Sequence, residues 1–299
     1  MRLATWNVNG LRARLDFIKI WLEQRSPDVV GMQELKVEEP DFPAEEFESL
    51  GYQHAIHVQK GWNGVGILSK HPIEVTQGGL PGEDEMGARL ITADVEGISF
   101  TTVYVPNGKT LDHEDYPAKV KWLGSLSKYC NDKSMGAKPS ILCGDFNVTP
   151  DHIDSWKGER AVGNIFHTDE ERGAIAALQQ QGLTDLFRDK YPDEQKFSWW
   201  DYRGGAFHRG QGLRIDYLLG SDGVRNRVED VWIDRDFRKK QDGLTASDHA
   251  PVIVDLTDWL RRADTEERLP ERAIAITFDD GWRDNREYAQ PILERHNAP

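Results

Sequence analysis

Short apolar segments separated by polar turns recur along most of this chain and limit what it can fold into. They lie at residues 3–8, 29–32, 52–58, 64–69, 89–95, 98–105, 140–143, 213–219, 228–234 and 251–256. Such lengths are typical of β-strands. Apolar residues at helical spacing predict helices over 11–24, 117–130 and 169–181. Because strands outnumber long helices, the pattern predicts an α/β fold with mixed sheets.

Composition narrows the class of protein further. Of 299 residues, 38% are hydrophobic and 29% are charged, which is typical of a globular protein and excludes a disordered or fibrous one. No apolar run is long enough to span a membrane and the N-terminus has no secretory pattern, so we expect a cytoplasmic protein with no membrane partner. The two cysteines, Cys130 and Cys143, favour a reducing compartment.

The charge balance excludes one simple kind of nucleic-acid binder. Lysine and arginine number 37 against 51 acidic residues, which gives a net charge of −14. A protein that binds nucleic acid by electrostatics alone is usually basic overall. If this chain binds nucleic acid, it must do so through a local basic face and metal ions.

Acidic and amide residues follow or begin several of the apolar strands. They are Asn7, Glu34, Asp145, Asn147, Asp216, Asp248 and His249. Open α/β folds place ligand sites at strand ends, and converging oxygen ligands suit Mg²⁺, or alternatively Mn²⁺. No Cys/His cluster has the spacing of a zinc site.

Each of these residues also has a structural interpretation when it is taken singly. Asp216 lies in an apolar segment, where Arg214 would serve as an ion-pair partner. The segment around Asp145 and Asn147 is rich in turn-forming residues, and His249 would be a packing histidine. Five strand ends of one chemical type, however, favour a shared site.

A second feature is a basic, aromatic segment at 196–214. It has four Lys/Arg and one acid, together with Phe197, Trp199, Trp200, Tyr202 and Phe207. Basic residues interleaved with aromatics suit a surface that follows a nucleic-acid backbone. The alternative is a core strand with a solvated loop.

Seven motifs in a fixed order carry a family resemblance. They are ATWNVNGLRAR (4–14), MQELK (32–36), YVPNG (104–108), GDFNVTP (144–150), FSWWDYR (197–203), LRIDYLL (213–219) and SDHAPV (247–252). Residues 1–258 resemble the exonuclease III family of abasic-site endonucleases, within the endonuclease/exonuclease/phosphatase superfamily. The resemblance implies a four-layered α/β sandwich of two packed mixed sheets, as in deoxyribonuclease I.

The resemblance also implies a role for each site residue. Glu34 would be the main metal ligand with Asn7 beside it, and Asp248 would lie near the metal and the leaving oxygen. Asp145 would deprotonate the attacking water, and Asn147 would hold its geometry. His249, paired with Asp216, and Tyr104 would contact the phosphate. The residues implied at the DNA edge and the pocket for a baseless sugar are Asn107, Trp199, Leu213 and Ile215.

The implied activity is Mg²⁺-dependent hydrolysis of the phosphodiester 5′ to an abasic site, with 3′→5′ exonuclease or 3′-end trimming activity. The implied partner is double-stranded DNA with abasic sites or blocked 3′ ends, and we expect a monomer. Two alternatives stay open: a superfamily phosphatase acting on a phospholipid head group, and a catalytically silent nucleic-acid-binding module. The intact set of site residues disfavours the silent module.

The C-terminal residues depart from this family. Residues 259–272 are dense in charge, and 274–299 resemble the opening strand and helix of a polysaccharide deacetylase domain. In that family Asp279 would be a base and Asp280 a metal ligand. The chain has no later histidine pair to complete such a site. We therefore expect 259–299 to be an extension of the 1–258 catalytic domain rather than an independent domain.

Overall fold

Two six-stranded mixed sheets are the main elements of the computed structural model, which describes residues 1–257. The strands in chain order are β1 (Arg2–Asn7), β2 (Val29–Gln33), β3 (Gln53–His57), β4 (Val65–Ser69), β5 (Glu74–Gly78), β6 (Leu90–Val95), β7 (Ile98–Tyr104), β8 (Ser140–Asp145), β9 (Thr184–Asp185), β10 (Asp216–Gly220), β11 (Val228–Ile233) and β12 (Val252–Leu256). The first sheet has the order β11-β12-β1-β2-β4-β3, and the second has the order β5-β6-β7-β8-β10-β9.

Six α-helices accompany the sheets in the described residues. They are α1 (Leu15–Arg25), α2 (Ala44–Glu48), α3 (Asp115–Asp132), α4 (Asp169–Gln180), α5 (Leu186–Lys190) and α6 (Asp222–Arg225). The three predicted helices correspond to α1, α3 and α4 with shifted ends. At the first of them a separate 3₁₀ turn, Arg12–Arg14, precedes α1, and Ser26 ends α1 with a left-handed φ of 48°.

Three apolar clusters explain the layers. Inward-facing side chains of both sheets, such as Val29, Ile91 and Val254, form the central core. Trp6 and Trp21 belong to a second cluster between the first sheet and α1, and Trp122 belongs to a third between the second sheet and the helices α3 and α4. The order helix, sheet, sheet, helix confirms the predicted four-layered α/β sandwich.

The two sheets approach closely at Gly31 of β2. A Cβ atom at this position would lie 2.7 Å from Cβ of Thr102 and 3.0 Å from Sγ of Cys143. A side chain does not fit there, so glycine is required if β2 is to pack against the second sheet.

Strand direction brings the site residues to one edge. In each sheet one pair of strands is parallel, β1 with β2 and β7 with β8, so each pair has its carboxyl ends side by side. Strand β10 is antiparallel to β8 and begins opposite its end, with Asp216 facing Asp145. The antiparallel strand β12 begins beside the end of β1, with Val252 opposite Thr5. One edge of the sandwich therefore gathers residues from both sheets.

Some predicted boundaries were wrong. The predicted strand 213–219 begins only at Asp216, because Leu213 pairs instead with Trp199 and Ser155. Strand β5 was not predicted, since four of its five residues are exposed and it has no apolar pattern. Short elements such as α2, α5 and β9 were also missed, because they have too few residues to show a period.

Residues Met1–Leu256 form one compact unit. The predicted extension 259–299, including Asp279 and Asp280, lies outside the described residues, so its relation to the catalytic domain stays a prediction. Among residues 1–257, no helix has the length and apolar character that crossing a membrane requires.

Candidate active site

The predicted site residues lie where strands of both sheets begin or end. Asn7, Tyr104 and Asp145 are the last residues of β1, β7 and β8, Glu34 and Asn147 follow β2 and β8, Asp216 opens β10, and Asp248 and His249 precede β12. Strand residues are held by ladder hydrogen bonds on both sides, so Asn7, Tyr104, Asp145 and Asp216 are set on rigid elements, and the others lie within a few residues of a strand.

Asn7 connects carboxylates from the two sheets. Its Nδ2 donates to Oε1 of Glu34 at 2.8 Å and to Oδ2 of Asp145 at 2.8 Å. Its Oδ1 accepts from the backbone N–H of Asn9 at 2.9 Å, which fixes the amide's orientation. One buried amide therefore holds Glu34 and Asp145 next to each other.

Two site residues have a left-handed backbone. Glu34 has φ 52° and Asn147 has φ 50°, a region that residues other than glycine rarely adopt. The carbonyl of Glu34 accepts from Gly10 N–H at 2.7 Å. The N–H of Asn147 donates to Oδ1 of Asp145 at 3.0 Å. Strained backbone of this kind concentrates at functional sites.

His249 is paired with Asp216 in the buried part of the site. Nδ1 of His249 lies 2.9 Å from Oδ2 and 3.1 Å from Oδ1 of Asp216. Ser198 donates its hydroxyl to Oδ2 of Asp216 at 2.6 Å. The opposite ring nitrogen, Nε2, lies 3.8 Å from Oδ2 of Asp145. The imidazole is thus oriented with Nε2 towards Asp145.

Burial and charge shift the pKa values of this group in opposite directions. Burial raises the pKa of Asp145 to about 7; the positive charge of His249 opposes that rise, and the carboxylates of Asp216 and Glu34 add to it. Burial alone would lower the pKa of His249, but the charges of Asp216 and Asp145 raise it to about 10. At neutral pH the structure therefore places a cationic imidazole beside a carboxyl that exchanges its proton in the physiological range.

A chain of polar contacts runs from Glu34 to Trp199. Nζ of Lys36 lies 2.6 Å from Oε2 of Glu34 and donates to Oδ1 of Asn9 at 2.6 Å. Asn9 donates to Oδ1 of Asp248 at 2.8 Å, and Nε1 of Trp199 donates to Oδ2 at 3.0 Å. Burial would raise the pKa of Asp248, but His249 and these two hydrogen bonds outweigh it and lower the pKa. Asp248 is thus ionised and part of the same network.

Tyr104 is opposite Asp145 in the pairing of β7 with β8, and Asn107 lies in the loop that follows β7. Burial raises the pKa of Tyr104 well above its ordinary value, with Glu34 and Asp145 adding to the rise, so its hydroxyl keeps its proton. Arg89 stacks on the Tyr104 ring at 4.8 Å. The exposed Asn107 donates from Nδ2 to Oδ1 of Asn147 at 3.2 Å.

The predicted pocket residues differ in exposure. Trp199 is half-buried and pairs with Leu213 through backbone hydrogen bonds of 2.9 Å in both directions. Leu213 and Ile215 are 7% and 2% exposed. Trp199 is therefore the one of the three that presents a substantial surface at the site edge.

The rest of the aromatic segment is mostly packing. Trp200 is buried in a small cluster with Ala206, and Phe197 and Phe207 pack against it. Tyr202 is 47% exposed. The alternative of a core segment is confirmed for Trp200, while Trp199 and Tyr202 remain accessible.

The alternative partner for Asp216 was wrong. Arg214 is instead buried in an ion-pair group with Asp154 at 2.7 Å and Asp185 at 2.7 Å. Because Arg214 pairs with these two carboxylates, Asp216 is left to pair with His249.

Within the described residues, the donor atoms of Glu34, Asp145 and His249 lie within 4.8 Å of one another. The carboxylate oxygens suit a hard divalent cation. A ligand imidazole must be neutral, whereas the charges of Asp216 and Asp145 favour the protonated ring of His249. The oxygen donors of Glu34 and Asp145 are therefore the ones that suit such a cation. The residues present therefore fit a cation held by oxygen ligands. Lys36 is also in contact with Glu34.

Sequence reasoning did not assign Lys36 or Ser198. Lys36 is part of the MQELK motif, two residues after Glu34, so its position offered a clue. Ser198 is part of the FSWWDYR motif, but it is 18 residues before Asp216 in the chain, and the motif does not point to that contact.

Comparison with known proteins agrees with this architecture. The model of the Endonuclease/Exonuclease/phosphatase family matches residues 4–249. An exodeoxyribonuclease III from Haemophilus influenzae is 36% identical over 265 residues, covering 84% of this chain and 98% of that protein. A 3′ phosphatase from Neisseria, solved with a product DNA hairpin, superposes with a TM-score of 0.82 at 34% identity, covering 87% of this chain and 100% of that one. An AP endonuclease from Archaeoglobus fulgidus gives 0.81 at 34% identity, covering 86% and 99%.

Proposed function

Because this chain belongs to the endonuclease/exonuclease/phosphatase family, we propose that it is a Mg²⁺-dependent DNA-repair nuclease that hydrolyses the phosphodiester 5′ to an abasic site. Trimming of blocked 3′ ends and 3′→5′ exonuclease activity belong to the same proposal. The observation that carries it is the pairing of a buried carboxyl, Asp145, with a cationic imidazole, His249, whose Nε2 lies 3.8 Å away.

Asp145 is the proposed general base. Its pKa of about 7 allows it to take a proton from water and release it again near neutral pH, the condition for an effective base. Oδ1 accepts from Asn147 N–H and Oδ2 from Asn7, so the carboxylate keeps one orientation. The water oxygen then attacks phosphorus, and the bond to the 3′ oxygen breaks.

Three side chains are placed to bind the phosphate as its charge develops. The protonated His249 offers Nε2–H, since Nδ1 is occupied by Asp216. Tyr104 retains its phenolic proton, and Asn107 is exposed at the same edge. Donors fixed before the reaction stabilise a developing oxyanion without reorganisation.

Glu34 would hold the divalent cation, with Asn7 beside it and Asp248 nearby. When bound, the cation supplies Lewis-acid stabilisation of the phosphate and the leaving 3′ oxygen. The oxygen ligands suit Mg²⁺, with Mn²⁺ as the alternative. Lys36 offsets the charge of Glu34 in the free protein.

Substrate choice is proposed to depend on Trp199. Flipping a nucleotide out of the duplex costs the least free energy where the base is already missing. The half-buried indole of Trp199 offers an apolar surface to the extruded sugar. With a net charge of −14, the protein would bind DNA through the cation and nearby basic residues, so added salt weakens binding.

The two cysteines support the proposal of a cytoplasmic, reducing compartment. Cys130 and Cys143 are both free and buried, and burial raises the pKa of each thiol to about 12. Neither is a reactive thiolate at physiological pH.

The test is cleavage of a duplex with one abasic site, with Mg²⁺ and with excess EDTA. We expect a 3′-OH and a 5′-deoxyribose phosphate in Mg²⁺ and no product in EDTA. Asp145→Asn should bind the duplex and fail to cut it, because an amide keeps the size but takes no proton. Binding without turnover by the unchanged protein would instead favour the silent module, and release of phosphate from a phospholipid head group would favour the phosphatase.

A further inference from the structure

Lys119 is a completely buried ammonium group that the proposed mechanism does not use. It lies in the first half of α3, and its side chain has 0% exposure. Lysine is almost never fully buried unless it is paired. Its partners therefore indicate what this position does.

The three N–H donors of Lys119 reach three different segments. Nζ contacts Oε1 of Glu171 at 2.5 Å, the carbonyl of Asn147 at 2.6 Å and the carbonyl of Asn107 at 3.3 Å. The ammonium also lies 4.7 Å from the centre of the Phe166 ring. An ammonium has three donors, so each one has a partner.

Glu171 gives this ammonium a fixed anchor. Its Oε2 accepts from the N–H of Thr168 at 3.1 Å and from the hydroxyl at 3.0 Å. These bonds are part of the capping box that begins α4. Helix α4 thus fixes Glu171, and Glu171 fixes the direction of Nζ.

The two carbonyls belong to the two site asparagines. Asn107 is in the loop after β7 and Asn147 is in the loop after β8, and their side chains meet at 3.2 Å. Asn147 holds an unfavourable φ of 50°. Gly108 lies against the stem of Lys119, where a Cβ would be 3.0 Å from Cδ. The first loop therefore packs directly on the lysine side chain.

We propose that Lys119 is a positioning residue for phosphodiester hydrolysis: its ammonium binds the backbone of both loops and sets Asn107 and Asn147 relative to Asp145. The inference rests on the proposed function. Lys119 should contribute to kcat rather than to substrate binding, because a misplaced donor loses its contact with the transition state.

The test separates positioning from stability with two variants. Lys119→Met leaves Glu171 charged, buried and unpaired, so it should be less stable. Lys119→Met with Glu171→Gln removes both charges and keeps an acceptor oxygen for Thr168. This double variant should melt close to wild type. Its kcat on an abasic duplex should fall about 100-fold, the cost of a small misplacement, while KM stays close to wild type.

Amide hydrogen exchange gives a readout that does not depend on activity. In the double variant, exchange should become faster in residues 105–109 and 146–149 and stay unchanged in β1 and β2. Lys128→Met is the matched control, since Lys128 is on the same helix, 79% exposed and paired with the exposed Asp132. It should leave kcat and exchange unchanged.

Two results would overturn the assignment: a folded double variant with wild-type kcat, or a loss of kcat without faster exchange in the two loops. Failure of the unchanged protein to cut abasic DNA would refute the proposed function instead. The exchange measurement would still decide whether Lys119 holds the two loops.

Discussion

Nδ1 of His249 and Oδ2 of Asp216 lie 2.9 Å apart, and the two side chains are 5% and 0% exposed. The carboxylate is the largest of the charges that raise the pKa of His249, against burial, to about 10. The imidazole therefore stays protonated through the physiological range and is a donor at Nε2.

Asp216→Asn should lower the pKa of His249, because an amide removes the negative charge that favours the protonated ring. In wild type, loss of the proton from His249 should lower kcat/KM only as the pH rises towards about 10. In the variant the fall should begin at lower pH. The measurement is the pH profile of abasic cleavage, with the exposed pair member Asp189→Asn as control. If the alkaline side of the pH profile is unchanged in the variant, His249 does not act as a charged donor.

Glu34→Gln should raise the Mg²⁺ concentration needed for half-maximal cleavage by at least about tenfold, since even changes to groups that only support a ligand cost about 10–100-fold in affinity. Saturating Mg²⁺ should restore part of the activity. Glu45→Gln, an exposed acid on α2, is the matched control. An unchanged metal titration would exclude Glu34 as the ligand.

Trp199→Ala should reduce abasic cleavage more than binding to undamaged duplex. Loss of an apolar contact worth about 1.5–3 kcal/mol corresponds to about 10–100-fold in kcat/KM. Trp199→Phe keeps an aromatic face but loses the 3.0 Å bond to Asp248, which separates the pocket from the hydrogen bond. Equal losses on both DNAs would make Trp199 a packing residue.

Asp154→Asn should destabilise the fold at neutral pH, by less than the ~3–5 kcal/mol of a buried charge left wholly unpaired, because it removes one of the two carboxylates that pair with the buried Arg214. Burial would raise the pKa of Asp154, but Arg214 and Arg188 outweigh it and lower the pKa. A depressed carboxyl pKa stabilises the folded state above the unfolded value of about 3.9, and the contribution is lost as pH falls through the folded value. The difference in melting temperature should therefore shrink below about pH 4.

The exposed aspartate of α3, Asp132, offers a control for that experiment. Its pair with Lys128 is 3.2 Å long, with the two side chains 57% and 79% exposed, and exposed pairs contribute little. Asp132→Asn should melt like wild type at every pH. A melting difference for Asp154→Asn that persists at low pH would contradict the assignment to its charge.

A chain that ends at Asp258 should fold and cut abasic DNA at a rate close to full length. Strand β12 lies between β1 and β11, and Leu256 N–H donates to the Met1 carbonyl at 2.8 Å, so the sheet is complete by that residue. A chain ending at Pro251 lacks β12 and should not fold. The measurements are the melting temperature and the turnover rate of both truncations beside the full-length chain. A large loss of either in the chain that ends at Asp258 would make 259–299 part of the catalytic domain.

Sequence reasoning reached the fold and the proximity of the main site residues because both depend on local pattern. Glu34 and Asp145 end apolar runs, and the parallel pairs β1–β2 and β7–β8 place Asn7 beside Glu34 and Tyr104 beside Asp145. It did not reach Ser198, because its contact with Asp216 depends on how a loop returns to the sheet. The sequence also suggested Arg214 as the alternative ion-pair partner of Asp216, because only near neighbours can be proposed as partners from sequence. Arg214 pairs instead with Asp154, which is 60 residues away in the sequence. Such a contact can be found only in the structure.

The two sheets share the site: Glu34 and His249 come from the first, and Asp145 and Asp216 from the second. Neither sheet alone places a carboxylate of the Asp145 type next to the imidazole of His249, and the central apolar core is likewise shared by both sheets. Whatever loosens the packing of one sheet on the other therefore separates the site residues, even where every strand keeps its own hydrogen bonds.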